Sequence, residues 1–379
     1  MLFEAGIHSV ADARRLAQRR LPWMVFDYID GAAGDETGPE ANRRALQDVH
    51  LMPRVLRNVS NRSLSVSLFG EEKERPFGIC PMGMCNLSTP GADLMLARLA
   101  AKYKIPHGVS TVSSTTMEEI YETSEGQAWF QLYFSGDGVG TMKLLERAKN
   151  IGYKTLVLTL DVPEVGRRPR ELRHGFKMPF KIGLSQFVDF AMHPRWSLST
   201  LLAGKPQMAN FDGKEYVFDR TESRAAADWK TFERIRDSWP GNLVAKGVLA
   251  CEDARRLKDS GVDAIQVSSH GSRQLNAAPP PILALQEIRK EIGEDFPLFY
   301  DSGIRSGEDI VKAYAMGADY VFLGRALLFA LAAGGEKGLV RLFEILSREI
   351  DISLAQLGAT KILLGKDRNK FGVSLTVKP

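Results

Sequence analysis

Cysteine is scarce. The 379 residues hold three, Cys80, Cys85 and Cys251, and they are scattered. That is too few for a disulfide framework or a zinc site, so a reducing compartment is expected and no metal is expected. Long apolar runs are also missing. No stretch of about 18 apolar residues occurs, so no membrane-spanning helix is expected. The amino terminus, MLFEAGIHSVADARRLAQRR, has an early Glu4 and no apolar segment of the kind a secretion signal needs. Nor is there an excess of one charge: 50 Lys and Arg against 46 Asp and Glu leave +4, which does not argue for nucleic acid. What is present is the composition of a soluble globular protein, 44% hydrophobic and 25% charged, and a cytoplasmic location is expected. The length fits one large α/β barrel with additions, or roughly two to three ordinary domains.

The first 60 residues read as helices. Ser9 with Asp12 forms an N-cap signal for a basic helix to Arg20, and Pro22 suits the first turn of a second helix. From Phe77 the pattern changes to short apolar runs: 77–81, 105–111, 128–133, 155–160, 243–247, 263–269, 297–301 and 319–325. Most are spaced by about 20 to 30 residues, as a strand plus a crossover helix requires. Stretches such as 251–261 and 307–318 supply the helices. Eight such units predict a (β/α)8 TIM barrel. A doubly wound sheet is the alternative, but it usually has fewer strands, and no GxGxxG turn follows the first one. One domain over 1–379 is expected: a helical segment at 1–60, a barrel at about 77–333, an inserted loop at about 165–240 after strand four, and C-terminal helices at 334–363.

The inserted loop holds Phe176, Phe180, Phe187, Phe190 and Trp196 among Lys177, Lys181, Arg195 and Lys205. Loops this long are usually functional or mobile. It reads as a lid or an oligomer contact, or as a patch touching a membrane surface.

Each apolar run ends in polar residues or glycine: Pro81-Met82-Gly83, Ser110-Thr111, Gln131 and Tyr133, Thr159 and Asp161, Lys246, His270 and Arg273, Asp301, Gly324-Arg325. Barrel ligands bind at the carboxyl ends of strands, so eight such ends form one ring around a mouth. Asp301-Ser302-Gly303-Ile304-Arg305, with Gly317-Ala318-Asp319 through Gly324-Arg325, suggests a phosphate site; turn glycines and solvated arginines are the bland alternative. Lys246 on an apolar strand either neutralises an electron-rich group, snorkels to solvent, or serves as a Schiff-base lysine with a depressed pKa. His270 and Arg273 lie three residues apart in SSHGSRQ. Imidazole moves protons near neutral pH, and guanidinium holds carboxylates, so the segment predicts proton abstraction from a carboxylate-bearing substrate. Arg168, after strand four, is a second candidate clamp or a basic surface residue.

With these motifs stated, the chain resembles the FMN-dependent L-2-hydroxy-acid oxidase and dehydrogenase family. The resemblance runs from VFDYIDGAAGDE around Tyr28 to GATKI, carried by S-x-H-G-x-R-Q at 268–274, DSGIR at 301–305 and FLGR at 322–325. It implies FMN at the carboxyl face of the barrel. It implies His270 as base, oriented by Asp161, with Arg168 and Arg273 on the substrate carboxylate and Tyr28 and Tyr133 hydrogen-bonding carboxylate or hydroxyl. Lys246 would sit beside the flavin. Pro81, Met82, Gly83, Ser110, Gln131, Thr159 and Ser268 would line the isoalloxazine and ribityl. Asp301, Gly303, Arg305, Gly324 and Arg325 would hold the ribityl and phosphate.

The implied reaction converts an L-2-hydroxy acid such as lactate or mandelate to the 2-oxo acid. A homotetramer is implied, and the 176–205 loop resembles the segment by which some bacterial members attach peripherally to membranes. Asn276 stands where the family usually has Asp. Val112 and Val165 are small, which opens the pocket to substrates larger than glycolate. Gly83 stands where oxidases often have alanine, which leans toward a dehydrogenase passing electrons to a quinone or other carrier. No haem domain precedes residue 1, so a flavocytochrome arrangement is not expected. An oxidase making hydrogen peroxide, another FMN barrel enzyme, and a non-catalytic flavin-binding protein are the alternatives.

Overall fold

The structure is a computed structural model that describes residues 6–134, 136, 138–176, 182–211 and 224–375. Eight parallel strands close into a barrel: β1 (Phe77–Met82), β2 (His107–Ser110), β3 (Ala128–Tyr133), β4 (Thr155–Thr159), β5 (Asn242–Val248), β6 (Ala264–Val267), β7 (Leu298–Tyr300) and β8 (Tyr320–Leu323). These strands are covered on both faces, which is why they read as unbroken apolar runs; every residue of β2, β4, β6, β7 and β8 is buried.

Two register irregularities fall at the mouth, between Ile79 and Met82 on β1 and between Lys246 and Val248 on β5. Bulges bend a strand and re-aim its side chains, and here they act beside Pro81 and Lys246. At the opposite end, a short ribbon (Val66–Leu68 with Glu71–Lys73) turns at Phe69, whose ring packs on Trp129 and Phe299.

Three helices precede the barrel: α1 (Val10–Arg20), α2 (Trp23–Asp30) and α3 (Thr37–Gln47). Ser9 caps α1 by accepting from the Asp12 amide at 3.1 Å, as the sequence predicts, and Pro22 is the N-cap residue of α2. The first 60 residues are not all helix. Val49–Leu51 pairs antiparallel with Val373–Leu375 at the far end of the chain.

The long gap after β4 is not one loop. It carries α4 (Pro169–Arg173), α5 (Leu184–Met192) and α6 (Pro194–Ala203), while α7 (Trp229–Ser238) is the crossover helix that leads into β5. Lys177, Phe180 and Lys181 lie outside the described residues. After β8 a helical run, α8 (Arg325–Gln356), is broken at Gly335 by non-helical φ 59°, ψ −145°, one residue from the expected start of the C-terminal helices.

Candidate active site

His270, the candidate base, is held in an uncommon backbone. His270, Gly271 and Ser272 have φ 54°, 62° and 60°, three left-handed residues in succession just beyond β6. Outside glycine that region costs about 1–2 kcal/mol per residue. The turn is held in place: the His270 amide donates to Ser268 Oγ at 2.9 Å, and the Ser269 and Gly271 amides donate to Ser302 Oγ at 3.3 and 3.1 Å. His270 Nδ1 lies 3.0 Å from Asp161 Oδ1. Its Nε2 makes no hydrogen bond among the described residues, and the side chain lines the large cavity at the barrel mouth. A carboxylate at Nδ1 selects the tautomer with the proton there, leaving Nε2 free to accept one.

Burial alone would raise the Asp161 carboxyl pKa. The charge and hydrogen bond of His270, and the charge of Lys246, outweigh burial and hold it below its ordinary value. Gly247 makes room for this carboxylate. At φ +100°, a Cβ there would come within 2.5 Å of Asp161 Cγ.

Lys246 is almost wholly buried at the end of β5. Its Nζ donates to Ser268 Oγ at 3.1 Å and lies 3.5 Å from Asp301 Oδ2. Burial disfavours its charge, but the carboxylates of Asp301 and Asp161 outweigh that and raise its pKa. The lysine therefore stays an ammonium, and the Schiff-base reading, which needs a depressed pKa, is withdrawn. Asp301 is engaged from below. It accepts from Gln266 at 2.6 Å and from Ser268 and Ser302 at 2.7 and 2.8 Å.

The two clamp candidates converge. Arg273 Nη1 donates to the carbonyls of Tyr28 and Gly31 at 2.7 and 3.0 Å, at the C-terminal end of α2. Arg273 Nη2 and Arg168 Nη1 both donate to one oxygen, Glu171 Oε1, at 3.0 and 2.7 Å. Arg168 is buried, so it is no surface residue. Tyr28 donates to the Gly83 carbonyl at 3.3 Å and stacks on Phe176 at 4.5 Å. The Tyr133 hydroxyl makes no hydrogen bond among the described residues, and burial pushes its pKa up to about 12. Val112, Val162, Val165, Met208 and Arg224 complete this wall, with Arg224 5.1 Å over the Tyr133 ring.

On the other side the cavity is lined by Pro81, Met82, Gly83, Gly303, Arg305, Gly324 and Arg325. Arg305 and Arg325 are partly buried in the cavity wall, and neither forms an ion pair among the described residues. Arg325 donates to the Gly271 carbonyl and Arg305 to the Ile304 carbonyl. Burial, with like charges nearby, lowers their pKa values to about 10 and about 9. Two such guanidiniums where α8 begins call for an anion. Ser110, Gln131, Thr159 and Ser268 lie behind this lining, buried. Gln131 Nε2 is buried with no hydrogen-bond partner among the described residues, a donor suited to a carbonyl-bearing ring. A flavin with a phosphate tail fits this set of unmet donors.

One part of the predicted phosphate site is corrected. Gly317-Ala318-Asp319 precedes β8 and so lies at its amino end, away from the mouth. There Arg289 binds the Gly317 carbonyl at 2.9 Å, and Arg368 binds Asp319 at 2.8 Å. Sequence reasoning missed Glu171, Gly247 and Arg224, and named Ser302 only within the phosphate segment, not as the acceptor for the amides of the His270 turn. Glu171 reads as helix charge in RRPRELR, and only its aim at two arginines marks it out.

Comparison with known proteins agrees with this geometry. The family model described as FMN-dependent dehydrogenase matches residues 17–366. An (S)-mandelate dehydrogenase of Pseudomonas putida is 39% identical over 364 residues, covering 94% of this chain and 92% of that protein. An L-lactate dehydrogenase of Pseudomonas syringae is 38% identical, covering 94% and 96%. Among solved structures, that of the monotopic membrane protein (S)-mandelate dehydrogenase superposes with a TM-score of 0.90 at 38% identity, covering 98% of this chain and 100% of the other. The chain belongs to the FMN-dependent dehydrogenase family, flavin oxidoreductases of the 2-hydroxy-acid class, and FMN is its cofactor.

Proposed function

We propose that the protein oxidises an L-2-hydroxy acid, lactate, mandelate or a similar acid, to the 2-oxo acid. The observation that carries this reading is His270 Nε2, open to the cavity while Nδ1 is held by Asp161, beside the converging Arg168 and Arg273. Arg168 and Arg273 bind the substrate carboxylate, and Tyr28 and Tyr133 hydrogen-bond carboxylate or hydroxyl. Two protons and two electrons leave the substrate: Nε2 would receive one proton, and FMN, when bound, would take up the two electrons and the other proton. Lys246 then supplies a fixed positive charge at the flavin, while Asp301, Gly303, Arg305, Gly324 and Arg325 hold the ribityl and phosphate. The small side chains Val112 and Val165 in the wall favour a substrate larger than glycolate.

The test is an anaerobic panel of L-2-hydroxy acids. Bleaching of the yellow protein by L-lactate or L-mandelate is expected, and bleaching by none would overturn the reading. A quinone or another carrier is the proposed electron acceptor. Gly83 supports this through the family resemblance, since oxidases often have alanine there; in this structure an added Cβ would meet Val112 Cγ2 at 2.5 Å. Rapid reoxidation when air is admitted would favour the oxygen-using alternative.

The inserted helices support a peripheral membrane contact on the inner face of the membrane. Among the described residues no helix is long and apolar enough to cross a membrane. Yet α5 and α6 carry Leu184, Phe187, Leu198, Leu201 and Leu202 as exposed side chains, Leu202 at 88%. Exposed apolar patches of this kind mark interaction surfaces. Trp196, buried and donating to the Leu87 carbonyl at 2.8 Å, ties the helices to the barrel. A homotetramer is proposed with it, on the family resemblance.

A further inference from the structure

Two guanidiniums brought side by side repel each other, so a substrate carboxylate binds both more tightly when something already holds them together. In this structure that group is a single oxygen. Glu171 Oε1 accepts from Arg168 Nη1 at 2.7 Å and from Arg273 Nη2 at 3.0 Å, and the Glu171 side chain is buried. Arg273 is fixed further by two carbonyls at the end of α2. Arg168 sits just ahead of the short α4, and its Nε also donates to the Gly166 carbonyl at 3.4 Å.

We infer that Glu171 is a positioning residue: its carboxylate holds Arg168 against the fixed Arg273 and so assembles the carboxylate clamp before substrate arrives. This inference rests on the clamp reading above. It opposes a simpler expectation. If Glu171 served only as a counter-charge, its removal would leave the pocket more positive and an anion would bind tighter. If it positions Arg168, its removal weakens anion binding, because the substrate must gather the clamp at its own cost.

The experiment uses the FMN-loaded enzyme and two readouts. One is the dissociation constant for oxalate, a non-reacting dicarboxylate, followed by the flavin absorbance change. The other is the rate of anaerobic flavin reduction by L-lactate or L-mandelate at saturation. Glu171→Gln keeps the shape and removes the charge. Oxalate binding and KM should weaken by about tenfold or more, with the saturated reduction rate changed by less than about threefold. Glu171→Asp keeps the charge and should bind oxalate within about threefold of the parent.

Unchanged or tighter oxalate binding in Glu171→Gln overturns the inference. Equal weakening in Glu171→Gln and Glu171→Asp also overturns it, since packing rather than charge would then be responsible. Arg168→Met and Arg273→Met separate the two levels. If neither weakens oxalate binding, the clamp reading itself fails; if both do and Glu171→Gln does not, only the positioning role fails.

Discussion

Among the carboxylate–imidazole pairs of the described residues, two have similar local form and opposite character. In the mouth, His270 Nδ1 meets Asp161. On the rim, His174 Nδ1 meets Asp27, and Arg170 joins Asp27 to Asp30 and Glu36. Both contacts are close, yet the carboxyl shifts differ in sign. Burial raises the Asp27 pKa despite His174 and Arg170, whereas the Asp161 pKa is lowered against burial by His270 and Lys246. The imidazoles differ too. His174 is 41% exposed to solvent, while His270 turns a free Nε2 into a cavity flanked by arginines. A His–Asp pair therefore does not by itself make a proton-transfer site. A cavity at the second nitrogen, flanked by arginines, makes the difference, since the rim carboxylate has a cation of its own in Arg170. The rim pair instead latches α4 and its Phe176 onto α2 and its Tyr28.

The comparison can be broken most directly by exchanging the imidazoles for amides. His270→Gln should keep FMN and lose substrate-driven flavin reduction by about 10²–10⁴-fold, whereas His174→Gln should change it by no more than about threefold. Rapid-mixing spectrophotometry checks both, and similar losses in the two variants would erase the distinction. A smaller effect is expected from Gly247→Ala. The added Cβ enters at a positive φ and presses on Asp161, so reduction should slow by about tenfold and stability should fall by about 1–3 kcal/mol. Reduction kinetics with thermal unfolding measures this.

The smallest effect sharpens the comparison through pH. A carboxyl whose pKa is lowered on folding, as in Asp161, contributes stability above the ordinary value of 3.8 that is lost as pH falls through the folded value. A carboxyl whose pKa is raised, as in Asp27, contributes stability present below 3.8 that is lost as pH rises through the folded value. Melting temperatures across the acid range should therefore shift in opposite senses. Asp161→Asn should flatten the loss toward low pH, and Asp27→Asn the loss toward higher pH. Parallel profiles would show that the two environments are equivalent.

The barrel was legible because strands buried on both faces must be apolar and must end where the chain meets water. Predicted runs such as 128–133 coincide with β3, and 155–160 exceeds β4 by one residue. The strand Val49–Leu51 was not legible, since three residues carry little period and their partner lies at 373–375. The direction of polar ends was the second difficulty. Gly317-Ala318-Asp319 and Gly324-Arg325 both flank β8, and only the folded barrel places the first at the floor and the second at the mouth. Asn276, where the resemblance leads one to expect Asp, also becomes intelligible. It donates to Asp35 and to Thr37 Oγ1, and accepts from the Gly38 amide at 2.9 Å. An aspartate there would face the Asp35 carboxylate.

By itself the sequence determined the strand pattern, the ring of polar strand ends and the residues proposed as base, flavin-side lysine and clamps. Each of these follows from residue type and local order: apolar period, a titratable imidazole, a guanidinium three residues on. The tertiary structure decided what those groups can do. It placed Asp161 on Nδ1, kept Lys246 charged with Asp301, emptied the space beside Asp161 at Gly247, and brought Arg168 and Arg273 to one oxygen of Glu171. Protonation and aim depend on distance and burial, and those arise only when segments far apart in the chain, 109 residues for Asp161 and His270, meet at one end of the barrel.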